Sequence, residues 1–145
     1  MTQGRRLILY ADGAARGNPG PAGAGAVLLD EEGNIVAELT RALGPATNNV
    51  AEYSALILGL EEARRLGASS IDVFMDSLLV VEQMRGRWRT KHPGLIPLAL
   101  RARQLLSSFA EREIRHVPRE QNHIADALSN RAIDEAAGIS SDEPR

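Results

Sequence analysis

The sequence predicts an α/β fold: one five-stranded mixed sheet with helices on its faces, in the order β-β-β-α-β-α-α-β-α. Three observations predict it. Short apolar runs at strand spacing alternate with longer stretches at helical spacing. The first three runs follow one another across turn-rich links, as a meander does, whereas each later strand comes after a helix and so needs a right-handed crossover. The chain of 145 residues, 43% hydrophobic and 25% charged, is long enough for one domain with a substantial core.

Taken in order, RRLILYADG carries apolar residues on both faces, which marks a central strand. AGAGAVLLD and NIVAELTRA flank the turn-rich EEGN and form a hairpin. Asn48 to Leu66 is a helix whose Tyr53, Leu56, Ile57, Leu60 and Ala63 make one apolar stripe, and Gly67 ends it. IDVFMD is a strand, Ser77 to Met84 a short helix and GRWRTKHPG a polar loop. Leu95 to Phe109 is a helix with Pro97 in its first turn, EIRHVP the last strand, and Asn122 to Ala137 the last helix, capped by Asn122. One domain is expected over residues 1–137 and a flexible tail over 138–145. There is no internal repeat.

The absence of cysteine excludes disulfides and thiolate metal sites. MTQGRRLILYADG has too short an apolar run for a signal peptide, and no segment is long enough to cross a bilayer. A cytoplasmic monomer without membrane contact is expected. The net charge of -2 argues against a grip on nucleic acid by bulk charge alone, but the charge is unevenly spread. From Arg85 to Arg119 nine basic residues face two glutamates, a local excess of seven. A solvated helix surface is the commoner fate of such a run. Opposite an acidic cluster, the same run suits a polyanion whose reaction needs metal.

Such a cluster is within reach. Asp12 and Asp76 both end apolar strands, so parallel neighbouring strands would set them side by side at the sheet rim, where α/β folds bind ligands. Glu52 lies early in the first long helix and Asp126 early in the last, each bordering an apolar stripe. Singly, each has a structural explanation in turn chemistry or the helix dipole. Four together at the edge of a core are costly without a cation. Oxygen-only donors point to Mg²⁺ or Mn²⁺. The glycine-rich ADGAARGNPGPAG lacks the GxGxxG spacing and the following helix of a dinucleotide cradle.

DGAARGNPGPAG, TNNVAEYSAL, VFMDSLLVV and HVPREQNHIADALSNRA, in this order, resemble type 1 ribonuclease H from about Leu7 to Ala136. The resemblance implies a ribonuclease H-like fold and endonucleolytic cleavage of the RNA strand of RNA–DNA hybrids, leaving 5′-phosphate and 3′-hydroxyl ends. It matches Asp12, Glu52, Asp76 and Asp126 to the family's acidic tetrad, which holds two Mg²⁺ ions, with Mn²⁺ as a possible substitute. Asp12 would bridge the ions, Asp126 would help hold the one that activates water, and Glu52 and Asp76 the other.

It also implies that Asn18 and Asn49 touch the RNA strand near the scissile bond, and that Thr47 and Asn48 take a DNA-strand phosphate. Trp88 resembles the aromatic of the DNA-strand channel, and Gly13 is expected to let substrate approach the backbone. The chain departs from longer members in two places. Only RGRWRTKHPG stands where they carry a basic helix-loop protrusion, so weaker substrate affinity is expected. VPREQNHIA is too short for their histidine-bearing loop, and Arg119 sits where shorter, archaeal-like members have an arginine, which assigns it the analogous role in product release. His123 competes for that role but reads as a surface residue. A binding-only descendant of the same fold is the rival reading, against which the intact tetrad speaks.

Overall fold

The computed structural model describes residues 4–138. It contains β1 (Arg5–Ala15), β2 (Gly20–Leu29), β3 (Ile35–Ala46), α1 (Asn48–Arg65), β4 (Ala68–Met75), α2 (Leu78–Met84), α3 (Ile96–Ser107), β5 (Glu111–His116), a one-turn 3₁₀ helix (Arg119–Asn122) and α4 (His123–Ala136). The sheet order is β3-β2-β1-β4-β5, so β1 is central as its two-sided apolar pattern requires. β1 pairs antiparallel with β2 and parallel with β4; β4 pairs parallel with β5. The expected tail lies outside the described residues apart from Gly138.

Alternation along β1 divides the two faces. Leu7, Leu9 and Ala11 point to the side covered by α1 and α3, where they join Leu56, Leu60, Val73 and Leu105 in the main core. Gly59 of α1 permits this approach, since a Cβ there would lie 2.3 Å from Leu9 Cδ1. α4 covers the opposite face over β2, where a Cβ on Gly25 would come within 2.5 Å of the Ala125 carbonyl oxygen. All five residues of the predicted α1 stripe are buried.

The glycine-rich stretch holds a surprise. β1 and β2 continue pairing through Gly13–Ala24, Ala14–Gly23 and Ala15–Ala22, two residues beyond the expected strand end. Low β-propensity is outweighed there by ladder hydrogen bonds and by the fit of α4 against glycine. Only residues 16–19 form the tip, closed by Arg16 N–H donating to Pro21 O at 2.8 Å. A strand follows, not a helix, which excludes the dinucleotide cradle. Among the described residues no helix is long and apolar enough to cross a membrane.

Candidate active site

The parallel β1–β4 pair sets Tyr10 opposite Phe74, their rings stacked at 5.1 Å. Two residues further on, Asp12 and Asp76 stand abreast at the carboxyl ends of the strands. α1 reaches the same rim because its first turn packs directly on β1. A Cβ on Gly13 would lie 2.1 Å from the Ala51 carbonyl carbon, so glycine is required there for helix contact. Gly13 also lines the cleft that opens at this rim. The Gly13 N–H then donates to Glu52 Oε1 at 2.6 Å and aims that carboxylate at the rim.

Carboxylate oxygens of Asp12, Glu52 and Asp76 lie within 4.8 Å of one another. Asp126, in the first turn of α4, lines the same cleft together with Arg119, Asn48 and Asn130. The electrostatics show the strain of this grouping. Asp12 is 5% exposed, and burial first, then the charges of Glu52 and Asp76, push its carboxyl up to about 10. Burial also pushes Glu52 up to about 7, against the lowering effect of the Gly13 N–H. Carboxylate oxygens crowded this closely, their ionised forms disfavoured by burial and by one another, fit a divalent cation.

Asn122 departs from its expected role. Its side chain makes no capping bond to α4. Instead Nδ2 donates to Ala11 O at 2.9 Å and to Asp76 Oδ1 at 2.8 Å, tying the residue before Asp12 to the carboxylate of β4. Asn122 does stand at the N-cap position of α4, but the 3₁₀ turn carries its side chain inward, where the residue is 1% exposed. Asn130 similarly donates to Asp126, at 3.0 Å to its carbonyl and 3.4 Å to Oδ1. Asn130 stands four residues after Asp126 on α4, a spacing that marks it as a neighbour of that carboxylate.

Of the remaining expected binding residues, Asn48 lines the cleft. Thr47 caps α1 by accepting the Val50 N–H at 3.2 Å. Asn48 Oδ1 accepts from Ala15 N–H at 3.0 Å, and Asn48 N–H donates to Asn18 Oδ1 at 3.1 Å, so the hairpin tip is pinned to the start of α1. Asn49 is exposed in the same turn. Trp88 is 45% exposed on the loop after α2. Arg119 is exposed in the 3₁₀ turn, and His123 is a surface residue as expected.

A family model described as reverse transcriptase-like matches residues 10–132. Ribonuclease HI of Halobacterium salinarum is 50% identical over 134 residues, covering 92% of this chain and 67% of that protein. The chain belongs to the type 1 ribonuclease H family. The bifunctional protein Rv2228c of Mycobacterium tuberculosis is 51% identical over 91% of this chain, which spans 36% of that protein's length. The solved N-terminal ribonuclease H domain of Rv2228c superposes with a TM-score of 0.89, covering 92% of this chain and 97% of that one. LC11-RNase H1, solved in complex with an RNA/DNA hybrid, is 43% identical with a TM-score of 0.85, covering 90% and 99% of the two chains. Within this ribonuclease H family the chain is a short form: α2 ends at Met84, α3 begins at Ile96, and no helix stands between them.

Proposed function

We propose that this domain is a metal-dependent endonuclease that hydrolyses the RNA strand of RNA–DNA hybrids. The observation that carries the reading is the trio Asp12, Glu52 and Asp76, whose oxygens crowd within 4.8 Å at the rim of a nearly neutral chain. The hybrid bound to LC11-RNase H1 names the substrate class.

Asp12, Glu52, Asp76 and Asp126 would hold two Mg²⁺ ions, or Mn²⁺ in their place. When bound, the ions supply Lewis acidity, making a water more acidic and offsetting charge on the attacking and leaving oxygens. The chain's own groups do the positioning. Gly13 N–H fixes Glu52, and Asn122 fixes Asp76 against the carbonyl that precedes Asp12. Asn18 and Asn49 contact the RNA strand through its minor groove and 2′-hydroxyls, which separates RNA from DNA. Thr47 and Asn48 sit at the N-terminus of α1, where main-chain N–H groups favour a DNA-strand phosphate. Trp88 packs against the DNA strand. Water attacks phosphorus in line, the bond to the 3′-oxygen breaks, and the products carry a 5′-phosphate and a 3′-hydroxyl. Arg119, at the mouth of the cleft, assists release of the new phosphate end. The domain, residues 1–137, acts as a monomer in the cytoplasm.

The test is cleavage of an end-labelled hybrid beside matched RNA–RNA and DNA–DNA duplexes, with Mg²⁺ and with chelator. Only the hybrid should be cut, only in its RNA strand and only with metal. Equal cutting of all three duplexes would overturn the substrate assignment.

A further inference from the structure

A second cluster of positive charge lies apart from the carboxylates. Where the C-terminus of α2, the last turn of α3 and the edge strand β5 meet, Arg85, Arg103 and Arg112 line one cleft above Met84, Leu106 and Ile114. Each guanidinium is tethered by one nitrogen to a main-chain carbonyl. Arg85 Nη1 donates to Ile114 O at 3.1 Å, Arg103 Nη2 to Gln83 O at 3.2 Å, and Arg112 Nη1 to Phe109 O at 3.0 Å. These carbonyls orient the side chains but do not cancel their charge.

Among the described residues none of the three has a carboxylate within 4.0 Å, whereas seven other arginines do. Glu113 also lines the cleft, and its carboxylate lies 3.8 Å from Arg115 Nε outside the trio. Three like charges held in one cleft repel one another until an anion joins them. Planar guanidinium forks held in place match phosphate oxygens better than flexible ammonium groups would.

The cleft also connects to the loop that carries Trp88. Gln83, whose carbonyl takes Arg103, gives its side-chain amide to Arg89 O at 3.4 Å and accepts the Tyr53 hydroxyl. One buried residue thus fixes both the arginine cleft and the Trp88 loop.

We infer that Arg85, Arg103 and Arg112 form a second phosphate-binding site, which takes a backbone phosphate of the hybrid beyond the segment held at the carboxylates. The inference rests on the hybrid-cleaving reading above. In a short form without the basic protrusion, this site supplies backbone grip from the body of the domain.

The test measures hybrid affinity by fluorescence anisotropy across a salt series in chelator, where no cutting occurs. Arg103→Gln/Arg112→Gln should weaken binding about three- to tenfold and lower the slope of log affinity against log salt by about one. Ser107→Glu, which places a negative charge in the cleft and keeps all three arginines, should do the same and carries the test if the double variant does not fold. Arg131→Gln on α4 should keep the wild-type slope. Wild-type slopes for the cleft variants would overturn the inference. So would a loss confined to inorganic pyrophosphate binding, which would make the site one for free phosphates. If the wild-type domain cuts hybrids while the cleft variants keep its salt slope, only the cleft assignment fails. A wild-type domain that cuts no hybrid removes the functional reading itself.

Discussion

Replacing Asp12 with asparagine should stabilise the metal-free domain, and more so as the pH rises. In the folded chain burial and the neighbouring charges of Glu52 and Asp76 hold the Asp12 proton up to about 10. In the unfolded chain the same carboxyl lets its proton go near 3.9. Between those values the folded state binds one more proton than the unfolded state, so stability falls as pH rises, by about 1.4 kcal/mol per pH unit. Glu52 adds a similar slope only up to about 7. From pH 7 to 9 the loss due to Asp12 should therefore be about 3 kcal/mol. The window is favourable, because the chain has a single lysine, Lys91, and no cysteine. Urea unfolding at pH 7, 8 and 9 in chelator should show this loss in the wild type and its absence in Asp12→Asn. Saturating Mg²⁺ should flatten the wild-type profile, since the ionised carboxylates then face a cation. Parallel profiles for the two proteins in chelator would refute the argument.

Other outcomes follow from single contacts. Asn122→Ala removes the donor to Ala11 O and Asp76, so unfolding free energy should drop by about 1–3 kcal/mol. Turnover on a hybrid should fall about 10–100-fold, as when a group that orients a metal ligand is lost. Gly13→Ala drives a methyl into the Ala51 backbone and should cost about 3–5 kcal/mol in denaturant unfolding. Thr47→Ala should cost about 1 kcal/mol through the lost α1 cap, and Thr47→Ser should restore most of it. Arg119→Ala should slow steady-state turnover while leaving the first turnover in a rapid-mixing assay unchanged; equal slowing of both would remove Arg119 from product release.

Much of this architecture could be read from the residues because it rests on periodicity. The two-sided apolar pattern of RRLILYADG requires a covered central strand, and a crossover helix makes IDVFMD its parallel neighbour. Asp12 and Asp76 then fall abreast without any further assumption. The α1 stripe likewise specifies which side of that helix is buried, and so places Glu52 at its border. Contacts between elements were less legible. Gly13 and Gly25 look alike in a glycine-rich run, yet one admits the first turn of α1 and the other admits α4. Asn122 has the composition and position of a cap, and only the inward 3₁₀ turn turns it into a clamp on Asp76. The basic run from Arg85 to Arg119 is visible in the residues, but that Arg85, Arg103 and Arg112 of it converge on one cleft depends on how α2, α3 and β5 pack.

The central claim is that the carboxylates gathered around Asp12 cut the RNA strand of a hybrid with the help of divalent metal. Single-turnover cleavage of a hybrid labelled in its RNA strand, by wild type and Asp12→Asn at saturating Mg²⁺, tests it most directly. The account predicts a rate at least about a thousandfold lower in the variant, with the fold intact. Cleavage by Asp12→Asn at a rate near that of the wild type would contradict it.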